Sequence, residues 1–174
     1  MTGTVFREDM TWTEVRDAIA AGTIRVIVIV AAMEQHGPHL AESTDTHLGY
    51  AIAGRLARRL GGTLVAPAIT LGFSEMNMSL AGTVSLRAST LEAILFDVCE
   101  SLSRHGFQEI ILLNAHGGNY PVLRDVLPRL RVPTPRGGSW RRYSRMPSGQ
   151  SGSDRERDSM SPVWAITLDR RKRP

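Results

Sequence analysis

Ile24 to Ala32 (IRVIVIVAA) constrains the fold more than any other stretch of the chain. It is almost wholly apolar and largely β-branched, so it suits a strand buried on both faces of a parallel sheet. Such a sheet needs helices to cover it, and the rest of the chain supplies them in alternation. Residues 12–21 read as a short amphipathic helix with Thr13 as N-cap. Thr46–Leu60 has Ile52, Leu56 and Leu60 at i, i+4, i+8 and Gly61-Gly62 as its stop. Ser89 opens a helix running to about His105, with Glu92 at capping-box spacing. Tyr120–Leu130 is a further helix with Pro121 in its first turn. Between them, Thr63–Ala68 reads as a strand placed at an edge by Pro67, Thr83–Leu86 as a short strand, and Glu109–Leu113 as a buried one. The alternation argues for a mostly parallel sheet covered by helices.

The 174 residues suffice for one domain with a core and are too few for two ordinary ones. The longest apolar run, Val26–Met33, is far short of the ~20 residues that span a bilayer. The N-terminus lacks a basic region followed by an apolar stretch, so no signal peptide is expected. The lone Cys99 excludes an internal disulfide and fits a packed thiol in a reducing, cytoplasmic setting. The net charge of +4 is unevenly spread. Residues 1–130 carry 10 basic and 13 acidic side chains, whereas residues 131–174 carry 11 basic and 4 acidic. From Arg131 the chain is rich in Arg, Ser, Pro and Gly without sustained periodicity, a texture that buries too little apolar surface to offset ordering entropy. The expected organisation is therefore a domain over residues 1–132 and a basic, disordered tail over 133–174.

The chemistry-bearing residues cluster where strands end. Glu34-Gln35-His36-Gly37-Pro38-His39 follows the first strand, Asp45 lies near the start of the next helix, and Asn114-Ala115-His116-Gly117-Gly118-Asn119 follows the strand at Glu109–Leu113. In open α/β sheets ligands bind beyond the carboxyl ends of strands, so these three segments can meet at one edge. Carboxylates and imidazoles bind divalent metals. Glu34 and His36, two apart, point the same way in an extended stretch. Asp45 can bridge two metals through its two oxygens, or cap its helix. Asn114 and Asn119 can orient loop backbone or contact substrate.

EQHGPHL, TDT and NAHGGN in this order resemble the creatininase (creatinine amidohydrolase) superfamily over about residues 12–130. The resemblance implies a three-layer α/β/α fold, incomplete here at its C-terminus. It implies hydrolysis of a C–N bond in a small cyclic or linear amide at a divalent-metal centre, Zn and/or Mn, in a binuclear arrangement. Glu34, His36, Asp45 and His116 fall on metal-ligand positions, with Asp45 on the bridging carboxylate. His39, Ser79, Gly117, Gly118 and Asn119 fall at or near substrate-facing positions. Residues 79–86 (SLAGTVSL) are similar to the family's substrate loop, with alanine where proline is more usual at position 81. Homo-oligomers are common in the family, so one is expected here.

Two departures qualify that expectation. Creatininase proper has a glutamate two residues after its second metal histidine, and this chain has Gly118. Members with the HGGN form are expected to draw a glutamate and a catalytic histidine from a later H-A-G-x-x-E-T-S-like segment. After His116 this chain has no histidine, and Glu156 is its only glutamate. No catalytic acid or base is thus identified, and the tail's texture resembles an out-of-frame or replaced C-terminus. The alternatives are a truncated, inactive member that keeps a weak metal site, and a basic-tailed nucleic-acid binder acting through RRYSR and DRRKRP. The latter ranks last, because acidic residues are interspersed in the tail.

Overall fold

The computed structural model describes residues 3–130, 139–144 and 163–169. Three parallel strands form the heart of the sheet in the order β2 (Thr63–Val65), β1 (Arg25–Val30), β3 (Glu109–Asn114). β1 and β3 are in register from Arg25 opposite Glu109 to Val30 opposite Asn114. Their carboxyl ends are therefore level, and the loops that follow leave the sheet side by side.

Strand alternation sorts side chains into two cores. Val26, Val28 and Val30 of β1, with Ile110 and Leu112 of β3, face one side. There they pack with Leu91, Leu95, Cys99 and Leu102 of the helix Ala88–Arg104 and with Val122, Leu123 and Val126 of the helix Tyr120–Val126. The helix Trp12–Ala20 adds Val15, Ala18 and Ile19 to that side. Ile27, Ile29, Ile111 and Leu113 face the other side, against Ala53 and Ala57 of the helix Thr44–Leu60. In chain order these helices are α1 (12–20), α2 (44–60), α3 (88–104) and α4 (120–126). Helices on both faces of a mostly parallel sheet make the expected three-layer α/β/α arrangement. Both faces of β1 are dry, which is why its sequence is continuous rather than alternating. Each fully buried Ile or Val there contributes roughly 1.5–3 kcal/mol.

Several local expectations change. The N-cap of α1 is Thr11, in a reciprocal capping box with Glu14. Thr13 instead lies inside the helix, with its hydroxyl 3.0 Å from that of Thr11. α3 begins at Ala88, after Arg87, with no side-chain cap. The stripe Ile52–Leu56–Leu60 identified α2 as a helix, but the face against the sheet is Gly49–Ala53–Ala57, and Ile52 is 52 % exposed. Small residues win that face because α2 lies close on β1: a Cβ at Gly49 would sit 2.5 Å from Ile29 Cγ2. Residues 83–86 form bridges rather than a strand, Val84 with Met33 and Ser85 with Gly72.

Two stretches of the expected tail are strands. β5 (Val163–Asp169) pairs antiparallel with β3, and β4 (Ser139–Ser144) pairs antiparallel with β5. VWAITLD is rich in β-branched and aromatic residues that suit a pleated surface. The rest of the expected tail lies outside the described residues. Cys99 is 1 % exposed, and burial pushes its thiol up to about 12, as suits a packed rather than a reactive cysteine. Among the described residues no helix is long and apolar enough to cross a membrane.

Candidate metal centre

The level ends of β1 and β3 bring Glu34, His36 and His116 to one spot, and the first turn of α2 adds Asp45. The helix begins at Thr44, one residue after Ser43, so Asp45 sits inside it and is not its cap. Its charge is favoured there by the positive end of the helix dipole, and both of its oxygens are left for the site.

Those oxygens face two different imidazoles. His36 Nε2 lies 3.1 Å from Asp45 Oδ1, and His116 Nδ1 lies 3.1 Å from Asp45 Oδ2. His116 Nδ1 is also 3.1 Å from Glu34 Oε1. In each ring the other nitrogen reaches a backbone carbonyl: His36 Nδ1 lies 3.1 Å from Glu34 O, and His116 Nε2 lies 3.1 Å from Phe73 O. Carbonyl and carboxylate oxygens both only accept, so each ring has an acceptor at both nitrogens. With a cation beside Asp45, the carbonyl-facing nitrogens would carry the protons and the nitrogens facing Asp45 would present lone pairs.

That arrangement tests the fit of a cation. A lone pair on His116 Nδ1 faces two carboxylate oxygens, which repels unless a proton or a metal ion stands among them. Asp45 Oδ2 is buried, and the polar side-chain atom facing it is His116 Nδ1 at 3.1 Å. Glu34, Asp45 and His116 are all buried, and one ligand atom from each lies within 4.8 Å of the others. Oxygen and nitrogen donors this close suit a divalent ion such as Zn²⁺ or Mn²⁺, so the residues present fit the group. Burial alone lowers the His116 pKa. The adjoining Asp45, the charge on Glu34 and the Phe73 carbonyl outweigh it, and the net direction is upward from 6.5.

The side on which His36 meets Asp45 is thinner. Its imidazole is 20 % exposed against 5 % for His116. Gly118 adds no ligand and has no room for a side chain: a Cβ there would run into the Phe73 carbonyl oxygen and His116 Nε2. The glutamate of creatininase proper is thus incompatible with this loop as it lies.

The expected substrate-facing residues separate. His39 and Ser79 are exposed on loops, the His39 ring lying against Gly37. Gly117 is exposed, with open space where a Cβ would point. Asn119 differs. It is fully buried, donates to Ala31 O at 2.9 Å and Val30 O at 3.3 Å, and accepts from Phe73 N at 2.8 Å. Its amide joins the end of β1 to the 70s loop, which is what the backbone-orienting alternative describes.

Two residues at the site escaped the sequence reading. Ser74 is fully buried with Oγ 3.0 Å from His116 Nε2. Asn77, at the end of a single 3-10 turn (Glu75–Asn77), donates from Nδ2 to Glu34 Oε2. Both lie in a stretch with no periodicity, more than 40 residues in sequence from the side chains they meet, and no motif marked them.

A sequence profile of the creatininase family, described as creatinine amidohydrolase, matches residues 8–167. The chain belongs to the creatininase family. It is 35 % identical over 124 residues to the creatinine amidohydrolase of Pseudomonas putida, an alignment covering 68 % of this chain and 47 % of that one. It is 36 % identical over 111 residues to the mycofactocin precursor peptide peptidase of Mycolicibacterium smegmatis, covering 61 % and 44 % respectively. A solved manganese form of creatininase superposes with a TM-score of 0.68 at 32 % identity, over 73 % of this chain and 51 % of that one. The chain spans about half the length of the curated relatives it matches.

Proposed function

We propose that this chain is a divalent-metal amidohydrolase acting on a C–N bond of a small cyclic or linear amide. The observation that carries the reading is the pair of imidazoles on opposite oxygens of Asp45, each with its second nitrogen tied to a backbone carbonyl. Glu34, Asp45 Oδ2 and His116 would hold one ion, zinc or manganese. His36 and Asp45 Oδ1 would offer a second, weaker position with two protein ligands. Bound there, a divalent ion supplies Lewis acidity towards a carbonyl and a water acidic enough to lose its proton near neutral pH.

The chain's own residues supply the setting. Asp45 and Glu34 contribute charge in a buried place, where it acts more strongly than in water. Gly117 is exposed with open space where a Cβ would point, and the family resemblance supports His39 and Ser79 as substrate-facing residues. The two relatives act, by their names, on creatinine and on a precursor peptide. Amide hydrolysis is the common class, and the loops select the compound.

A second reading is favoured by one observation. Among the described residues, Glu34, Asp45 and His116 are the one group of three or more His, Cys, Asp or Glu placed to hold an ion. Among the described residues the side-chain partner of His36 is Asp45, and the sequence identifies no general acid for the leaving nitrogen. A metal-binding chain without turnover fits that picture. Purified protein, stripped and then titrated with Zn²⁺ or Mn²⁺, should take up about one equivalent. A panel of cyclic amides, linear amides and short peptides then separates the readings: turnover supports the hydrolase, and binding without turnover supports the second. Uptake below ~0.2 equivalent would sink both.

A further inference from the structure

We propose that Ser74 and Asn77 are positioning residues that choose which atom of His116 and of Glu34 faces the metal. The inference rests on the metal-site reading above.

His116 has two nitrogens, and only one can serve the site. Nε2 has Phe73 O at 3.1 Å and Ser74 Oγ at 3.0 Å. With a metal ion at Nδ1 the proton belongs on Nε2, where Phe73 O and Ser74 Oγ can both accept it. Together they hold the ring with Nδ1 turned towards Glu34 and Asp45. Metal-ligating histidines depend on such partners for tautomer and orientation.

Glu34 has two oxygens, and Asn77 engages one of them. The direction of the Asn77 amide follows from its neighbours. Gly37 N donates to Gln35 Oε1 at 2.9 Å, so Gln35 turns Nε2 towards Asn77 Oδ1 at 3.4 Å, and Asn77 turns its NH2 towards Glu34 Oε2. With Oε2 engaged, Oε1 is the oxygen left beside His116 Nδ1, and Glu34 would offer an ion one free oxygen.

The segment that carries both residues is itself held. Phe73 N donates to Asn119 Oδ1 at 2.8 Å, Ser74 N to Ser85 Oγ at 3.0 Å, and Asn77 N to Ser74 O at 2.9 Å. The fully buried Asn119 thereby acts at one remove, fixing the carbonyl that fixes His116.

Ser74→Ala and Asn77→Leu in the full chain test this, with three readouts. Zinc affinity is measured by chelator competition. Cobalt(II) absorption reports the coordination at the metal. Nitrogen-15 NMR of the metal-free protein at mildly alkaline pH reports the His116 tautomer. Each variant should still bind metal but lose about 10–100-fold in affinity. Ser74→Ala should shift the metal-free His116 tautomer population towards Nδ1–H, and Asn77→Leu should alter the cobalt spectrum as Glu34 Oε2 becomes free. Affinities, spectrum and tautomer matching the unsubstituted chain would overturn the proposal. If the unsubstituted chain binds no metal, the metal reading fails, and the tautomer then decides: a shift towards Nδ1–H in Ser74→Ala supports the positioning role of Ser74, and no change overturns it.

Discussion

The two oxygens of Asp45 stand in unlike surroundings. On the His116 side three side chains converge, all buried, and each ligand other than Asp45 has its own supporting partner: Ser74 and Phe73 O behind His116, Asn77 behind Glu34. On the His36 side a partly exposed imidazole meets one carboxylate, and its support is a single contact with the carbonyl of Glu34. A metal position depends on ligand count and on the groups that orient those ligands. The comparison therefore separates a well-built position from a half-built one within a single constellation.

Asp45→Asn should produce the largest change, because Asp45 serves both sides. Metal uptake on either side should be lost, while the metal-free fold survives, since the substitution is isosteric and lies in a first helical turn. Equilibrium dialysis with circular dichroism checks both. Next, Gly118→Glu asks whether the weaker side can be completed by the glutamate of creatininase proper. A side chain at 118 meets the Phe73 carbonyl and the His116 ring. The variant should lose about 1–3 kcal/mol of stability in denaturant unfolding, as overpacked sites do, and should weaken the stronger position rather than add a second equivalent.

A smaller effect should come from pH. The folded pKa of His116 is raised above 6.5. In metal-free protein its protonation contributes stability that is fully present below the unfolded value and is lost as pH rises through the folded value. Metal needs the neutral ring, so the apparent metal affinity should fall as pH drops from above that raised value. Melting temperature should therefore fall with rising pH across this window without metal, and should not fall when the protein is saturated with metal.

Much of this was legible in the sequence. The runs of β1 and β3 announced strands buried on both faces, and the two histidine motifs lay at their ends, so register alone brought them together. What was not legible came from contacts that periodicity does not encode. The face α2 turns to the sheet is set by how closely it lies on Ile29, which favours Gly49 and Ala53 over the more apolar Ile52. The Ser74 and Asn77 contacts join an irregular loop to residues far away in sequence. β5 was hidden because its β-prone residues sit inside a polar, arginine-rich stretch, and composition averaged them away.

The most direct test is the metal content of His116→Ala and His36→Ala side by side, after reconstitution with zinc and dialysis. With three ligands on one side and two on the other, His36→Ala should retain about one equivalent, and His116→Ala should lose affinity by more than the ~100-fold that supporting residues alone command. Equal retention by the two variants, or a greater loss in His36→Ala, would contradict the account.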